Sequence, residues 1–226
     1  MPVSLRDLPA AARPRERLLA HGAAALADVE LLALLLRTGS RGVGVLQLAE
    51  RLLAEFDGLA GLMRTSPAEL ARCRGLGPAR GVELAAVLEV ARRSLAQQLR
   101  AAPVFDAPGR VKDYVALRLG ALPHELFAVL YLDSQHRLIE MRELFRGSLA
   151  QTSVYPREVL RVALELNAGA VILAHNHPSG VAEPSRADEA LTRSLAAALR
   201  TIEVRVLDHL VVGDGCVVSF AERGLL

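Results

Sequence analysis

The chain has 226 residues, 52% of them hydrophobic and 23% charged, with 27 basic against 25 acidic side chains. This is ample apolar material for one or two globular domains and excludes a disordered or fibrous chain. No apolar run reaches the roughly 18 residues of a spanning helix, and the opening Met-Pro-Val-Ser-Leu-Arg-Asp has charges where a secretion signal has its apolar core, so a cytoplasmic protein is expected.

In chain order, apolar residues spaced by three and four predict helices over 15–20, 27–37, 43–56, 67–73 and 78–98, punctuated by glycines and by the start signal Thr65-Ser66-Pro67. Two prolines and a glycine between Arg100 and Arg110 predict a linker over 101–110. Beyond it, glycine-flanked apolar blocks predict strands over 126–133, 137–145, 169–175, 204–213 and 216–220, with helices over 155–166 and 185–200. The fold class is therefore α+β, with an all-helical domain over 1–100 followed by a mixed sheet with flanking helices over 111–226. No repeat or low-complexity tract interrupts it.

Charge is unequally shared. Residues 1–100 have 14 arginines against 10 acids, whereas residues 101–226 have 13 basic side chains against 15 acidic ones. The helical part is the expected partner for polyanions. Within it, Cys73-Arg-Gly-Leu-Gly-Pro-Ala-Arg-Gly81 resembles a helix-hairpin-helix element, with Gly75, Leu76 and Gly77 in the tight turn and Arg74 and Arg80 beside it. Backbone N–H groups at such a helix start can hold a DNA phosphate without reading sequence, which implies weak, salt-sensitive DNA binding. The same element also serves as a protein contact or a plain turn.

The stretch His175-Asn-His-Pro-Ser-Gly-Val-Ala-Glu-Pro-Ser-Arg-Ala-Asp188 follows a predicted strand and opens a predicted helix. Side chains two apart on an extended chain point to one side, so His175 and His177 can face one ion while Asn176 faces away. Asp188 completes two imidazoles and one carboxylate, the ligand set of a catalytic zinc site with an open position. Iron or manganese can also occupy such a set. Ser185 and Asp188 equally fit a helix capping box. The cysteines, Cys73 and Cys216, are too few for a thiolate site and are each expected to be small buried apolar residues.

The segment from His175 to Gly180, followed by Pro184-Ser185-x-x-Asp188, resembles the signature of the JAMM (MPN) metalloproteases and, in its wording, their bacterial RadC branch. The resemblance extends to Val154-Tyr-Pro-Arg-Glu-Val-Leu, to Leu207-Asp-His-Leu-Val-Val-Gly and to the N-terminal half. It implies an MPN-type, cytidine-deaminase-like fold and one zinc per chain on His175, His177 and Asp188. Ser185 would help stabilise a tetrahedral intermediate, and a glutamate on an earlier strand would act as general base. Glu125 is the best match for that base, with Glu140 and Glu143 as rivals. The implied reaction is metal-assisted hydrolysis of an amide or isopeptide bond in a protein or peptide substrate. The alternatives are a DNA-associated or DNA-repair accessory protein that uses the domain as a docking scaffold, or a metal-dependent nuclease. His209 reads as a strand histidine bonded to backbone, or else as a neighbour of the metal. Alanine-rich helices over 78–98 and 185–200 allow a homodimer, although burial in the monomer's own core explains them as well.

Overall fold

The computed structural model describes residues 8–120, 122–147 and 154–226. The chain forms two compact units, one ending at Val90 and the other starting at Ala91, so that the division falls inside a helix and ahead of the expected linker.

The first unit contains α1 (Pro14–His21), α2 (Asp28–Leu36), α3 (Val45–Glu55), α4 (Gly58–Arg64), α5 (Pro67–Arg72) and the start of α6 (Gly77–Ala101). Leucines four apart on α2 and α3, namely Leu32 with Leu36 and Leu48 with Leu52, meet Leu70 and Leu84 in its core. Ser66 caps α5 as the sequence predicts: its hydroxyl accepts from Glu69 N at 3.2 Å, and the Glu69 carboxylate accepts from Ser66 N at 2.9 Å. Helix α4 was not predicted, because Gly58 and Gly61 interrupt its pattern. Gly61 is needed there for space, since a Cβ would lie 1.6 Å from the Phe56 carbonyl oxygen.

The second unit contains α7 (Pro108–Leu119), β1 (Leu126–Leu132), β2 (Leu138–Arg146), α8 (Pro156–Glu165), β3 (Ala170–Asn176), α9 (Arg186–Arg200), β4 (Arg205–Val212) and β5 (Val217–Ser219). The strands make one sheet in the order β2-β1-β3-β4-β5. Only β3 and β4 run parallel, joined through α9, and the other neighbours are antiparallel. The expected linker is corrected here. Its last three residues begin α7, because a proline at the first helical position gives up an N–H that has no helical partner anyway.

Strand alternation sorts the core into two layers. Leu126, Ala128, Leu130, Ile172 and Ala174 face Val111, Val115 and Leu119 of α7. Phe127, Val129, Val171 and Leu173 face Val159 and Val162 of α8 and Leu195 and Leu199 of α9. His175 continues the parity of Val171 and Leu173, so its ring emerges on the α9 side at the end of β3. Ligand sites tend to form at that end of a parallel strand, where the chain leaves for the next helix. Among the described residues no helix is long and apolar enough to cross a membrane.

Candidate metal centre

Three elements bring the site together. His175 is paired in the sheet between Phe127 of β1 and Val211 of β4. His177 lies just past β3, and its N–H donates to the Val212 carbonyl at 2.8 Å. Asp188 is on the first turn of α9, fully buried. The loop between them docks on the end of β4: Asp214 N–H donates to Gly180 O at 2.7 Å, and a Cβ on Gly213 would lie 2.4 Å from that same oxygen.

Hydrogen bonds at the far side of each ring aim both histidines inward. The Nδ1–H of His177 donates to Val181 O at 2.7 Å, and Nδ1 of His175 meets Nε2 of His209 at 2.8 Å. The two Nε2 atoms then face each other at 2.9 Å, with Asp188 Oδ1 3.4 Å from that of His175 and Oδ2 3.7 Å from that of His177. A zinc tetrahedron with arms of about 2.1 Å has edges of about 3.4 Å. The spacing fits the group. Asp188 Oδ1 is buried and accepts no hydrogen bond from the described residues, as an oxygen reserved for a cation would be.

Ser185 divides the work of that carboxylate. Its hydroxyl and its N–H both donate to Asp188 Oδ2 at 2.7 Å, while Asp188 N donates back to the hydroxyl at 3.1 Å. The capping box is formed, and the hydroxyl is engaged with Asp188. Replacing Ser185 with alanine is expected to lower the urea midpoint by the equivalent of about 1 kcal/mol, the usual cost of a lost N-cap. An unchanged midpoint would show that the cap contributes nothing.

Burial holds the His175 imidazole down, to about 4, so it is neutral near pH 7. Asp188 is the main cause that lifts His177 above the ordinary imidazole value, with the Val181 carbonyl and Glu125 adding to it against burial. Burial alone would raise the Asp188 carboxyl, yet His177, His175 and Ser185 outweigh it and keep it below the usual carboxylate range. His177 therefore holds a proton more readily than a free imidazole does, at the place between two opposed nitrogens that a cation would take, and a metal ion binding there would have to displace it. Affinity is therefore expected to fall as pH falls below the raised His177 value, with a slope near one proton per ion, and to flatten above it. Competitive zinc titration between about pH 5.5 and 8 checks this, and a slope near two would contradict it.

Glu125 immediately precedes β1, and its ligand atom lies within 4.8 Å of those of both histidines. The rivals lie elsewhere: Glu140 is paired with Arg142 at 2.7 Å and Glu143 with Arg118 at 3.0 Å. Two residues of the site, Asn176 and Thr192, carried no functional signal in the sequence. Asn176 does face away from the histidines, and there its Oδ1 accepts from Leu126 N at 2.8 Å while its Nδ2 donates to His124 O at 3.1 Å and Leu122 O at 3.3 Å. It clamps the segment that presents Glu125. Thr192 and His209 continue the hydrogen bonding behind His175. His209 thus bonds to side chains, which corrects its reading as a backbone-bonded histidine. Asp208 is structural, accepting from Ser219 Oγ at 2.6 Å and Ala221 N at 3.0 Å. Cys73 is buried as expected, but Cys216 is exposed.

In the first unit, Gly75 and Gly77 turn the chain between α5 and α6 with φ of +92° and +72°, a region that disfavours other residues. Gly81 permits close approach of the two helices, since a Cβ there would lie 3.1 Å from Ala71 Cα. Arg74 is exposed at this turn. Arg80 instead folds inward, donating to Thr38 Oγ1 at 2.6 Å, Gly39 O at 2.9 Å and Gly75 O at 3.4 Å.

Comparison with known proteins gives a consistent answer along the chain. Residues 105–225 match the family described as RadC-like JAB domain, and residues 5–82 match the one described as UPF0758 N-terminal. A UPF0758 protein of Methylibium petroleiphilum is 68% identical over 222 residues, covering 98% of this chain and all of that protein. One from Leptothrix cholodnii is also 68% identical over the same shares, and one from a Polaromonas species is 61% identical over 98% of this chain and 99% of its own.

Proposed function

The chain belongs to the UPF0758 family and has its RadC-like JAB domain, and on that premise we propose that it is a zinc-dependent hydrolase of amide or isopeptide bonds. The observation that carries the reading is the convergence of two opposed imidazole nitrogens and one orphaned carboxylate oxygen beside a second carboxylate. His175, His177 and Asp188 would hold the ion. A zinc ion bound there supplies Lewis acidity toward water and toward a carbonyl oxygen.

The protein's own groups do the rest. Glu125 takes a proton from the attacking water and returns it to the nitrogen of the leaving amine, which is general base and then general acid work by one carboxylate. Asn176 keeps that carboxylate at the histidines through three backbone contacts on the segment 122–126. Ser185 holds Asp188 so that Oδ1 stays directed at His175 Nε2, where it would meet a bound ion. A cleft of about 270 Å³ lined by Leu122, Asn176, Ser179, Gly180 and Asp214 reaches the site at His177. Two imidazoles and one carboxylate around a single ion suit acyl transfer, whereas phosphodiester cleavage commonly uses a pair of ions.

The test is hydrolysis of a peptide and isopeptide library by purified protein. Cleavage that disappears with a chelator and returns with zinc supports the proposal. Metal-independent cleavage, or none with the site fully loaded, would overturn it.

A further inference from the structure

Behind His175 runs a chain of hydrogen bonds whose direction is fixed from its far end. Thr192 Oγ1 lies 2.6 Å from the Asp188 carbonyl oxygen and 2.6 Å from His209 Nδ1. The carbonyl can only accept, so the single hydroxyl proton of Thr192 must point at it. The hydroxyl oxygen is then an acceptor, and His209 must donate from Nδ1–H. His209 is fully buried, stacked on Phe220 at 4.7 Å and edge-on to Phe127 at 5.8 Å; the Asp208 carboxylate accepts from its backbone N–H at 2.7 Å, and among the described residues no carboxylate is hydrogen-bonded to its ring. A neutral ring in such surroundings has one N–H, and it is already committed. His209 Nε2 is left bare and takes the Nδ1–H of His175 at 2.8 Å.

From this geometry we infer that His209 and Thr192 are positioning residues, forming a relay that fixes His175 as its Nδ1–H tautomer and so keeps the Nε2 lone pair turned toward the metal. The inference rests on the zinc reading above for its purpose, though not for its geometry. The relay starts on one proposed ligand, His175, and ends on the backbone of another, Asp188, so β3, β4 and α9 are tied together at the point where two ligands must keep their spacing. An imidazole is an unusual partner for a ligand histidine, which more often donates to a carboxylate or a carbonyl. Being neutral, it orients the ring without adding negative charge behind it, and a bound ion would keep more of its Lewis acidity than with a carboxylate in that place.

Nitrogen-15 NMR of the full-length, metal-free protein tests the relay directly. The expected spectrum has His175 protonated at Nδ1 and bare at Nε2, and His209 in the same form. His175 protonated at Nε2 would overturn the inference. Zinc affinity supplies the second measurement. His209→Leu, which cannot accept, should bind zinc roughly 10- to 100-fold more weakly. His209→Gln, whose Oε1 can accept from His175, should stay within about fivefold of the wild type, a recovery that a merely space-filling role does not give. Thr192→Ser should likewise bind as the wild type does, and Thr192→Val should not. Equal binding by the leucine and glutamine variants would overturn the relay. The tautomer measurement needs no ion, so absence of zinc binding by the wild-type chain would count against the hydrolase alone.

Discussion

Replacing His177 with alanine is expected to take the zinc content of the purified, dialysed protein from about one ion per chain to well under a tenth. The variant keeps its fold. His177 stands past the end of β3, and its anchoring N–H bond to Val212 O belongs to the backbone and survives the substitution. Thermal melting separates lost binding from lost folding. Zinc at 100 times its dissociation constant should stabilise the wild type by about 2.7 kcal/mol by mass action and leave the variant unmoved. Elemental analysis and melting curves together decide the matter. A variant that retains stoichiometric zinc would remove His177 from the ligand set and with it the proposed centre.

Glu125→Gln separates the two carboxylates of the site. Asp188 is buried with Oδ1 at 3.4 Å from His175 Nε2, whereas Glu125 is half-buried at the entrance of β1. The amide of glutamine has nearly the same shape and cannot take a proton. Hydrolysis of any substrate that the wild type cleaves is therefore expected to fall about 100- to 10,000-fold, as for loss of a general base, with zinc content unchanged. Asp188→Asn should behave in the opposite order, losing the ion first. Zinc lost from Glu125→Gln and kept by Asp188→Asn would exchange the two roles, because both carboxylates flank the same pair of nitrogens.

Most of the architecture was legible as pattern. All five strands fall within a residue or so of the blocks read from alternating and continuous apolar runs, and α8 and α9 likewise. The failures have local causes. In α4, glycine at 61 is a packing requirement imposed by Phe56, and a residue chosen for a neighbour's carbonyl disguises the helix that contains it. In α7, Pro108 was read as a break although it stands at the one helical position where proline is at home.

The sequence by itself determined the fold class, the two histidines two apart on a strand end and the carboxylate at a helix start, because each depends on spacing along a few residues of chain. It also held the capping box of Ser185 and Asp188, again a local pattern. Only the tertiary structure decided which glutamate meets the histidines: strand pairing brings Glu125 to them and leaves Glu140 and Glu143 to arginines. Only it joined Asn176 to Leu126 across 50 residues and His209 to His175 across 34. Those contacts follow from sheet register and helix packing, in which a side chain's partner is set by the stacking of elements far apart in the chain, and no period or motif within a single segment records it.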